Sequence, residues 1–480
     1  GPCKAWRGPH ARQAVSAGSQ CAAGCPTTDL SWLRASTTVN RHGRNRQRGG
    51  DLSPALVPCA VVVDSRNLIG QSGRLFGTPS NFTIPGIRRA LEGYGFEPVE
   101  VRVGTATRVL QEKCSERVNR MRQKNEDAAQ GLAADGATIL HGYLVERGGT
   151  VEEKQVDVLC AVAIADLAER ILVKASTAQC IVSLSEDMDL MPAYDFAHAR
   201  DVPVFAAAID TVHVRTEQRA WMLLDEEAID LSCPSSGRYR GMKLRAWIAR
   251  IALESVQVAG LWTVGYRLAD GSYEMSRNNG ARGIWSNPDG VRPGQKVTLY
   301  ATGVVADATT RRFPYLSLGD TPSAGPFANV RTGTVQFWVA QNRVKITLDS
   351  GGNVTVWAPA GSLLPGQEVA VLTGSDDSCT LIGALDKGDE PDLWTVSPRR
   401  RALVEVTVGQ ATKGWAKGRL EESGQEVAIA LKCVSLRERD RLAVSLVGTH
   451  PTWGLPAVHP MMSPLPELLT TSLVPRVGDL

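Results

Sequence analysis

The stretch Cys180-Ile181-Val182-Ser183-Leu184-Ser185-Glu186-Asp187-Met188-Asp189-Leu190 constrains the fold more than any other. A short apolar run that ends in Ser-x-Asp-x-Asp reads as a strand buried on both faces, as in parallel sheets. Open α/β sheets place their ligands beyond the carboxyl ends of the strands. Asp187 and Asp189 fall at such an end. Two carboxylates there suit a hard cation that takes oxygen ligands, such as Mg2+. A solvated acidic loop would carry the same letters.

A second run, Cys59-Ala60-Val61-Val62-Val63, stops at Asp64, and Asn67 follows where it can turn back toward the same strand end. Between the two runs the pattern predicts a helix over Ile84–Tyr94, with Pro85 near its start, and a strand over Phe96–Val103. A long helical pattern follows from about Thr105 to Ala134, with Leu110, Cys114, Val118 and Met121 at helical spacing. A strand over Ala137–Val145 and an apolar helix from Val158 to about Val173 come next. Asp157 sits at the first turn of that helix, where it either caps free amides or reaches back toward the sheet edge. Pro203–Ile209 reads as the last strand, and a short helix around Arg219–Leu224 precedes Ala228-Ile229-Asp230-Leu231. The whole predicts a doubly wound parallel sheet of roughly five strands. Asp64, Asp157 and Asp187 then converge on one edge, a costly arrangement unless a cation neutralises them.

Three blocks in this order and spacing carry a family likeness: Val-Val-Val-Asp64-x-x-Asn67, Glu153-Lys154-x-Val-Asp157 and Ser185-x-Asp187-x-Asp189, with the closing Ala-Ile-Asp230-Leu231. Residues 57–233 thereby resemble the NYN domains, the LabA-like branch of the PIN-type nucleases. The resemblance implies a Mg2+- or Mn2+-dependent endoribonuclease. Asp64, Asp157, Asp187 and Asp189 would form the acidic metal cluster. Asn67 would orient Asp64 or touch substrate, and Ser185 would hydrogen-bond a ligating carboxylate. The chain departs from the family pattern at Ala163, Glu186, Met188 and Leu190, where members often carry Asp, Gly, Gly and Phe. Toprim and haloacid-dehalogenase sites do not fit, because the first strand ends in Asp64-Ser65-Arg66-Asn67. His141 and His198 have no nucleophile or metal-spaced partner in sequence and read as structural.

The candidate RNA contacts are Arg66 beside Asp64 and the helical stripe Arg117, Arg120 and Lys124, which would otherwise be a solvated helix face. The net charge of +3 is too small to argue for nucleic acid by itself. Residues 1–56 read as a disordered basic tail ending in Arg41-His42-Gly43-Arg44-Asn45-Arg46-Gln47-Arg48, either an RNA-holding arm or a solvated terminus. Ten cysteines lie thinly along the chain. Cys21 and Cys25 lack a second pair to complete a zinc site, so reduced thiols and a cytoplasmic location are expected. No apolar stretch is long enough to cross a membrane, and the beginning has no signal-peptide core. A homodimer stays open.

At 480 residues the chain exceeds one ordinary core. Beyond Cys233-Pro234-Ser235-Ser236-Gly237 the texture changes to strand alternation with Gly and Pro turns. Three units of strand, Gly turn, strand, connection and strand recur at roughly 70–80 residues, over 240–328, 329–393 and 394–450. They resemble OB- or S1-like barrels in pattern, and SH3-like barrels would read alike. Trp262, Trp285, Trp338, Trp357 and Trp415 lie on or beside these strands, either packed inside or stacking bases. Arg311-Arg312, Arg399-Arg400-Arg401, Lys413 and Lys417 add positive charge. Residues 451–480 read as a loosely ordered Pro-rich tail. The expected fold class is thus α/β, a doubly wound PIN/NYN-like sheet followed by β-rich small barrels. The expected function is metal-dependent RNA hydrolysis, with the barrels holding nucleic acid. The alternative is an inactive RNA-binding or assembly protein on the same fold.

Overall fold

A computed structural model describes residues 56–466 and 469, apart from 78, 112–113, 148–149, 217, 234–237, 255–258, 269, 279, 287–289, 307–312, 324, 341, 361, 364, 375–377, 386–401, 408–413, 422, 432–433 and 451. The basic segment 41–48, Cys21 and Cys25, Arg311-Arg312, Arg399–Arg401 and Lys413 lie outside the described residues.

The first layer is a seven-stranded sheet. Its strands are β1 (Val57–Asp64), β2 (Phe96–Val109), β3 (Thr138–Arg147), β4 (Thr150–Lys154), β5 (Cys180–Leu184), β6 (Val204–Ala208) and β7 (Trp221–Leu223). The order across the sheet is β4-β3-β2-β1-β5-β6-β7. All neighbours run parallel except β4, which turns back antiparallel on β3. The apolar runs explain the centre: β5 and β6 are buried throughout, and β1 at every position but Pro58. Connections leave β1 in opposite directions, toward β2 on one side and toward β5 on the other. The gap between β1 and β5 is therefore the topological switch point.

The helices are α1 (Ser65–Phe76), α2 (Ile84–Glu92), α3 (Glu116–Ala134), α4 (Val156–Leu172), α5 (Met191–His198), α6 (Glu226–Ser232) and α7 (Arg238–Glu254). On β3 the residues alternate between faces. Ile139 and His141 line a cavity with Ala129 and Ala133 of α3, whereas a Cβ on Gly142 would meet Val156 of α4 at 2.7 Å. So α3 and α4 cover opposite faces. Gly86 lets α2 approach α6 closely, since a Cβ there would lie 2.2 Å from the Leu231 carbonyl oxygen.

Several expectations are corrected. The sheet has seven strands rather than roughly five. The helical pattern from Thr105 is cut: β2 continues to Val109, and α3 begins at Glu116 with the Ser115 hydroxyl capping Val118 N–H. The alternation Val101, Val103, Thr105, Thr107, Val109 is β-branched throughout, and pairing with β3 decides the conformation. Residues 219–224 hold strand β7, not a helix, because Trp221-Met222-Leu223 is fully buried and pairs with β6. Helix α1 directly after Asp64 escaped the sequence reading.

Beyond α7 lie three five-stranded sheets. The first is a closed barrel of β8 (Ala259–Arg267), β9 (Tyr273–Ser276), β10 (Arg282–Trp285), β11 (Lys296–Ala306) and β12 (Pro314–Gly319). The second is a sheet of β13 (Val330–Ala340), β14 (Arg343–Leu348), β15 (Asn353–Trp357), β16 (Glu368–Thr373) and β17 (Cys379–Ala384), ordered β15-β14-β13-β16-β17. The third is a closed barrel of β18 (Ala402–Glu405), β19 (Trp415–Leu420), β20 (Glu426–Ala430), β21 (Arg441–Thr449) and β22 (Pro456–Pro460). Trp262, Trp285 and Trp338 are buried, so these aromatics are packing, not surface platforms; Trp357 and Trp415 are half-buried.

The expected loose tail from residue 451 is also corrected. β22 closes the third barrel, and Met461, Met462, Leu465 and Leu469 are buried. Met462 bridges Met222, and Leu223 N–H donates to the Met461 carbonyl at 2.7 Å. The segment covers the outer edge of β7, an edge that would otherwise expose unpaired backbone groups. The interior of the third barrel (Val404, Val427, Ile429, Leu442) is continuous with the α/β core, whereas the second sheet shares its buried side chains with the first barrel (Val330, Ala370, Ile382) and with Val447 and Ala457 of the third.

Candidate functional site

The switch point is built from the ends of β1 and β5 and the start of α4. Asp64 ends β1, is 8% exposed, and caps α1 by accepting the Asn67 N–H at 3.1 Å. Burial pushes its carboxyl above the usual carboxylate range, and the neighbouring Asp187 and Asp157 charges push the same way. The amides of Asn67 and Arg66 oppose that shift.

A hydrogen-bond chain ties the rim together across three strands. The Asn67 side-chain oxygen accepts from Glu186 N–H at 3.0 Å and from Gln71 Nε2 at 2.7 Å. Gln71 is fully buried, and its own oxygen accepts the Ile209 N–H at 2.9 Å beyond β6. The side chain of Asn67 thus fastens the loop after β5 to α1, while its backbone serves Asp64. Sequence reasoning missed Gln71. Its signal was a polar residue one helical turn after Asn67, on the face that α1 buries.

In the loop after β5, the buried Ser185 hydroxyl accepts the Asp187 N–H at 3.1 Å, and Asp187 Oδ1 accepts the Asp189 N–H at 2.9 Å. The result is a single tight turn, Met188–Leu190. Ser185 therefore holds the backbone of Asp187 and positions that residue. Asp187 is half-buried; Asp189 is exposed and is not among the charges felt at Asp64. Glu186 turns away to pair with Arg74, and Met188 points outward at 59% exposure.

Asp157 lies in the first turn of α4, where the preceding Gln155 makes no side-chain cap. One turn on, Cys160 reports the convergence. Burial raises its thiol well above the usual range, and Asp64, Asp157 and Asp187 each raise it further. Three carboxylates distant in sequence thus act on one buried position. Glu153, on β4, is a fourth acid: burial raises its carboxyl, Asp64 raises it further, and Arg66 lowers it. Its Oε2 is buried with no hydrogen-bond partner. Arg66 is exposed beside it.

The structure thus brings together Asp64, Asp157 and Asp187, adds Glu153 and Arg66, and leaves Asp189 at the margin. Arg117, Arg120 and Lys124 stand exposed on α3, with Arg120 paired to Glu116 at 3.7 Å. A cavity of about 480 Å³ lies on this α3 side, lined by Thr107, Arg108, Asn119, Arg122, Glu126 and Tyr143 and by none of the rim carboxylates. His141 accepts or donates at 2.7 Å to the Thr107 hydroxyl.

A buried carboxyl with two half-buried acids near it, and a buried oxygen left without a partner, are what a hard cation would relieve, so the donor set suits Mg2+ or Mn2+. Among the described residues, however, no three His, Cys, Asp or Glu side chains stand close enough together to form a ready ligand shell. The strand order around β1 is also that of dinucleotide-binding sheets. Here the turn reads Asp64-Ser65-Arg66-Asn67-Leu68, with no Gly-x-Gly, and the Asp64 carboxylate already occupies the helix N-terminus that would hold a pyrophosphate.

Fold and site define a doubly wound α/β layer with an acidic switch point, joined to three five-stranded β-sheets. No protein-family model matches the sequence, and no curated protein matches it. Among solved structures it is similar to a multidomain protein with nucleic acid binding domains from Streptococcus pneumoniae (11% identity, 47% of this chain and 76% of that chain, TM-score 0.13). It is also similar to Drosophila Unr CSD456 (10%, 44% and 98%, TM-score 0.14) and to an Agrobacterium radiobacter oxidoreductase (9%, 64% and 81%, TM-score 0.18). Similarities at these TM-scores assign neither ligand nor activity.

Proposed function

We propose that this chain is a metal-dependent ribonuclease of the NYN class that hydrolyses RNA phosphodiester bonds at the β1/β5 switch point. What supports this reading is that Asp187 and Asp157 lie near enough to the buried Asp64 to raise its carboxyl further, beyond the larger effect of burial. These three side chains would hold Mg2+ or Mn2+, with Glu153 beside them. The chemistry that such an ion supplies is activation of water and neutralisation of charge on the phosphate oxygens. Arg66 stands at the open side of the group, where it would meet a phosphate of the substrate. Asn67 and Gln71 keep the β5 loop, and so Asp187, in register with Asp64. The β-sheets would add contacts to the nucleic acid.

A second reading, an RNA-binding protein without catalysis, draws on the open spacing of the carboxylates. One experiment separates the two. The full chain and Asp187→Asn are incubated with single-stranded and with structured RNA, in Mg2+, Mn2+ or EDTA. Cleavage that needs metal and Asp187 supports the hydrolase. RNA retained uncut under every condition supports the binding protein. A DNA arm tests for cleavage of the other nucleic acid.

A further inference from the structure

Phe337 is the aromatic side chain that the second sheet turns outward. It is 47% exposed on β13, although both of its strand neighbours on the core side, Val335 and Trp338, are buried. Two bulges cause this. Pairing with β14 skips Gln336 and Val339, so Val335 pairs with Ile346, Phe337 with Lys345, and Trp338 with Val344. Trp338 is driven inward and donates its Nε1–H to the Leu363 carbonyl at 3.1 Å, and Phe337 is driven outward.

Its neighbours are cationic or neutral. The Lys345 ammonium lies 5.5 Å from the centre of the Phe337 ring, and Thr355 continues the row on β15. Arg343 is exposed one outward position further along β14. Strands β13, β14 and β15 contain no Asp or Glu at any position, whereas Arg331, Arg343 and Lys345 all lie on them. A flat ring for a base, with a row of cations along the next strand for phosphates, is the combination that single strands use.

The other two sheets present different surfaces. On the first barrel the exposed Tyr266 hydrogen-bonds Glu274, which pushes its phenol up to about 12, and that carboxylate would repel a phosphate. On the third barrel the aromatics satisfy one another: His450 stacks on Trp453 at 4.3 Å and meets Trp415 edge-on at 4.9 Å.

We propose that the outer face of β13–β15, centred on Phe337 and flanked by Lys345 and Arg343, is a platform for single-stranded nucleic acid. Bases stack on the Phe337 ring and the backbone runs past the two cations. This deepens the reading that the chain handles RNA, but it does not depend on cleavage.

The test is fluorescence anisotropy of the full chain with a labelled oligo(U) of about 12 nucleotides, in EDTA so that nothing is cut. Phe337→Ala should weaken binding about tenfold or more, and Phe337→Tyr should restore it. Lys345→Ala and Arg343→Ala should each flatten the slope of log affinity against log salt by about 0.7. A duplex of equal length should compete poorly. The proposal is overturned if the wild type does not bind, if Phe337→Ala binds equally well, or if duplex competes on a par with single strand. Loss of cleavage with intact binding would sink the hydrolase reading and leave the platform standing.

Discussion

The carboxyl rim of the α/β sheet and the outer face of the second β-sheet are made by opposite devices. The rim gathers residues 64, 157 and 187 from three distant elements and buries the Asp64 carboxyl near two half-buried acids, so its existence opposes folding. The β-face sets residues 337, 343 and 345 side by side through one hairpin and keeps them in solvent, so it opposes nothing. Stored cost marks the first surface, and unspent exposure marks the second. Substitutions at the rim should therefore trade activity against stability, whereas substitutions on the β-face should change binding alone.

The largest effect expected from this contrast is at Asp64. Asp64→Asn keeps a side-chain oxygen to cap α1 and removes the buried charge. Cleavage should fall by orders of magnitude in Mn2+, while the melting temperature in EDTA should rise by a few degrees. Phe337→Ala should leave the melting temperature where it was. A rim variant that loses both activity and stability would break the comparison, because the carboxylate would then be supporting the fold.

Next in size is a residue far from either surface. Met462 is fully buried where the chain covers the β7 edge. Met462→Ala should cost about 2–5 kcal/mol through the cavity it leaves. Hydrogen exchange should show the loss in β6 and β7, while β13–β15, whose buried side chains lie outside the cluster that holds Met462, keep their protection. Equal loss in both would mean that the two regions unfold as one.

How much of this was readable in the sequence follows from the same contrast. Asp64, Asp157 and Asp187 were legible because each ends or begins an apolar element, and a doubly wound order sends such ends to one rim. The three β-units were legible as a period, and the first strands of the sheets begin at Ala259, Val330 and Ala402. Three things were not legible. Residues 105–109 and 221–223 took their strand conformation from neighbours in the sheet, which local spacing does not carry. Glu153 and Gln71 were visible as letters, but their roles come from contacts with Asp64 and Ile209. Phe337 depended on two bulges, and a strict alternation count puts it on the wrong side. The tryptophans drew attention as large aromatics, and their size is the reason the core took three of them.

Gln71 sharpens the comparison on the rim side. Gln71→Leu removes two buried hydrogen bonds and leaves the Ile209 amide without its partner. The expected cost is about 1–3 kcal/mol, measured by denaturant titration. The effect on cleavage should be larger than the stability loss accounts for, because Asn67 would lose the bond that fixes its side chain against the Glu186 amide. Oligonucleotide binding in EDTA should be unchanged. If cleavage per folded molecule matches the wild type, Gln71 serves only the core.

The smallest effect concerns the thiols. Burial raises Cys59, Cys160 and Cys180 well above the usual range and Cys233 to about 12, so at pH 8 they stay protonated and covered. Cys114 and Cys379 are only half-buried. Peptide mapping after brief alkylation should find these two labelled and the four buried thiols intact. Cys160 is the informative one, since it sits among the rim carboxylates. A divalent ion that neutralised them would leave burial, the largest cause of its raised thiol, in place, so Cys160 should stay unlabelled in Mn2+ as in EDTA. Labelling of Cys160 in either condition would show that the start of α4 opens to solvent, and the rim would then be less buried than Asp64 and Cys160 make it.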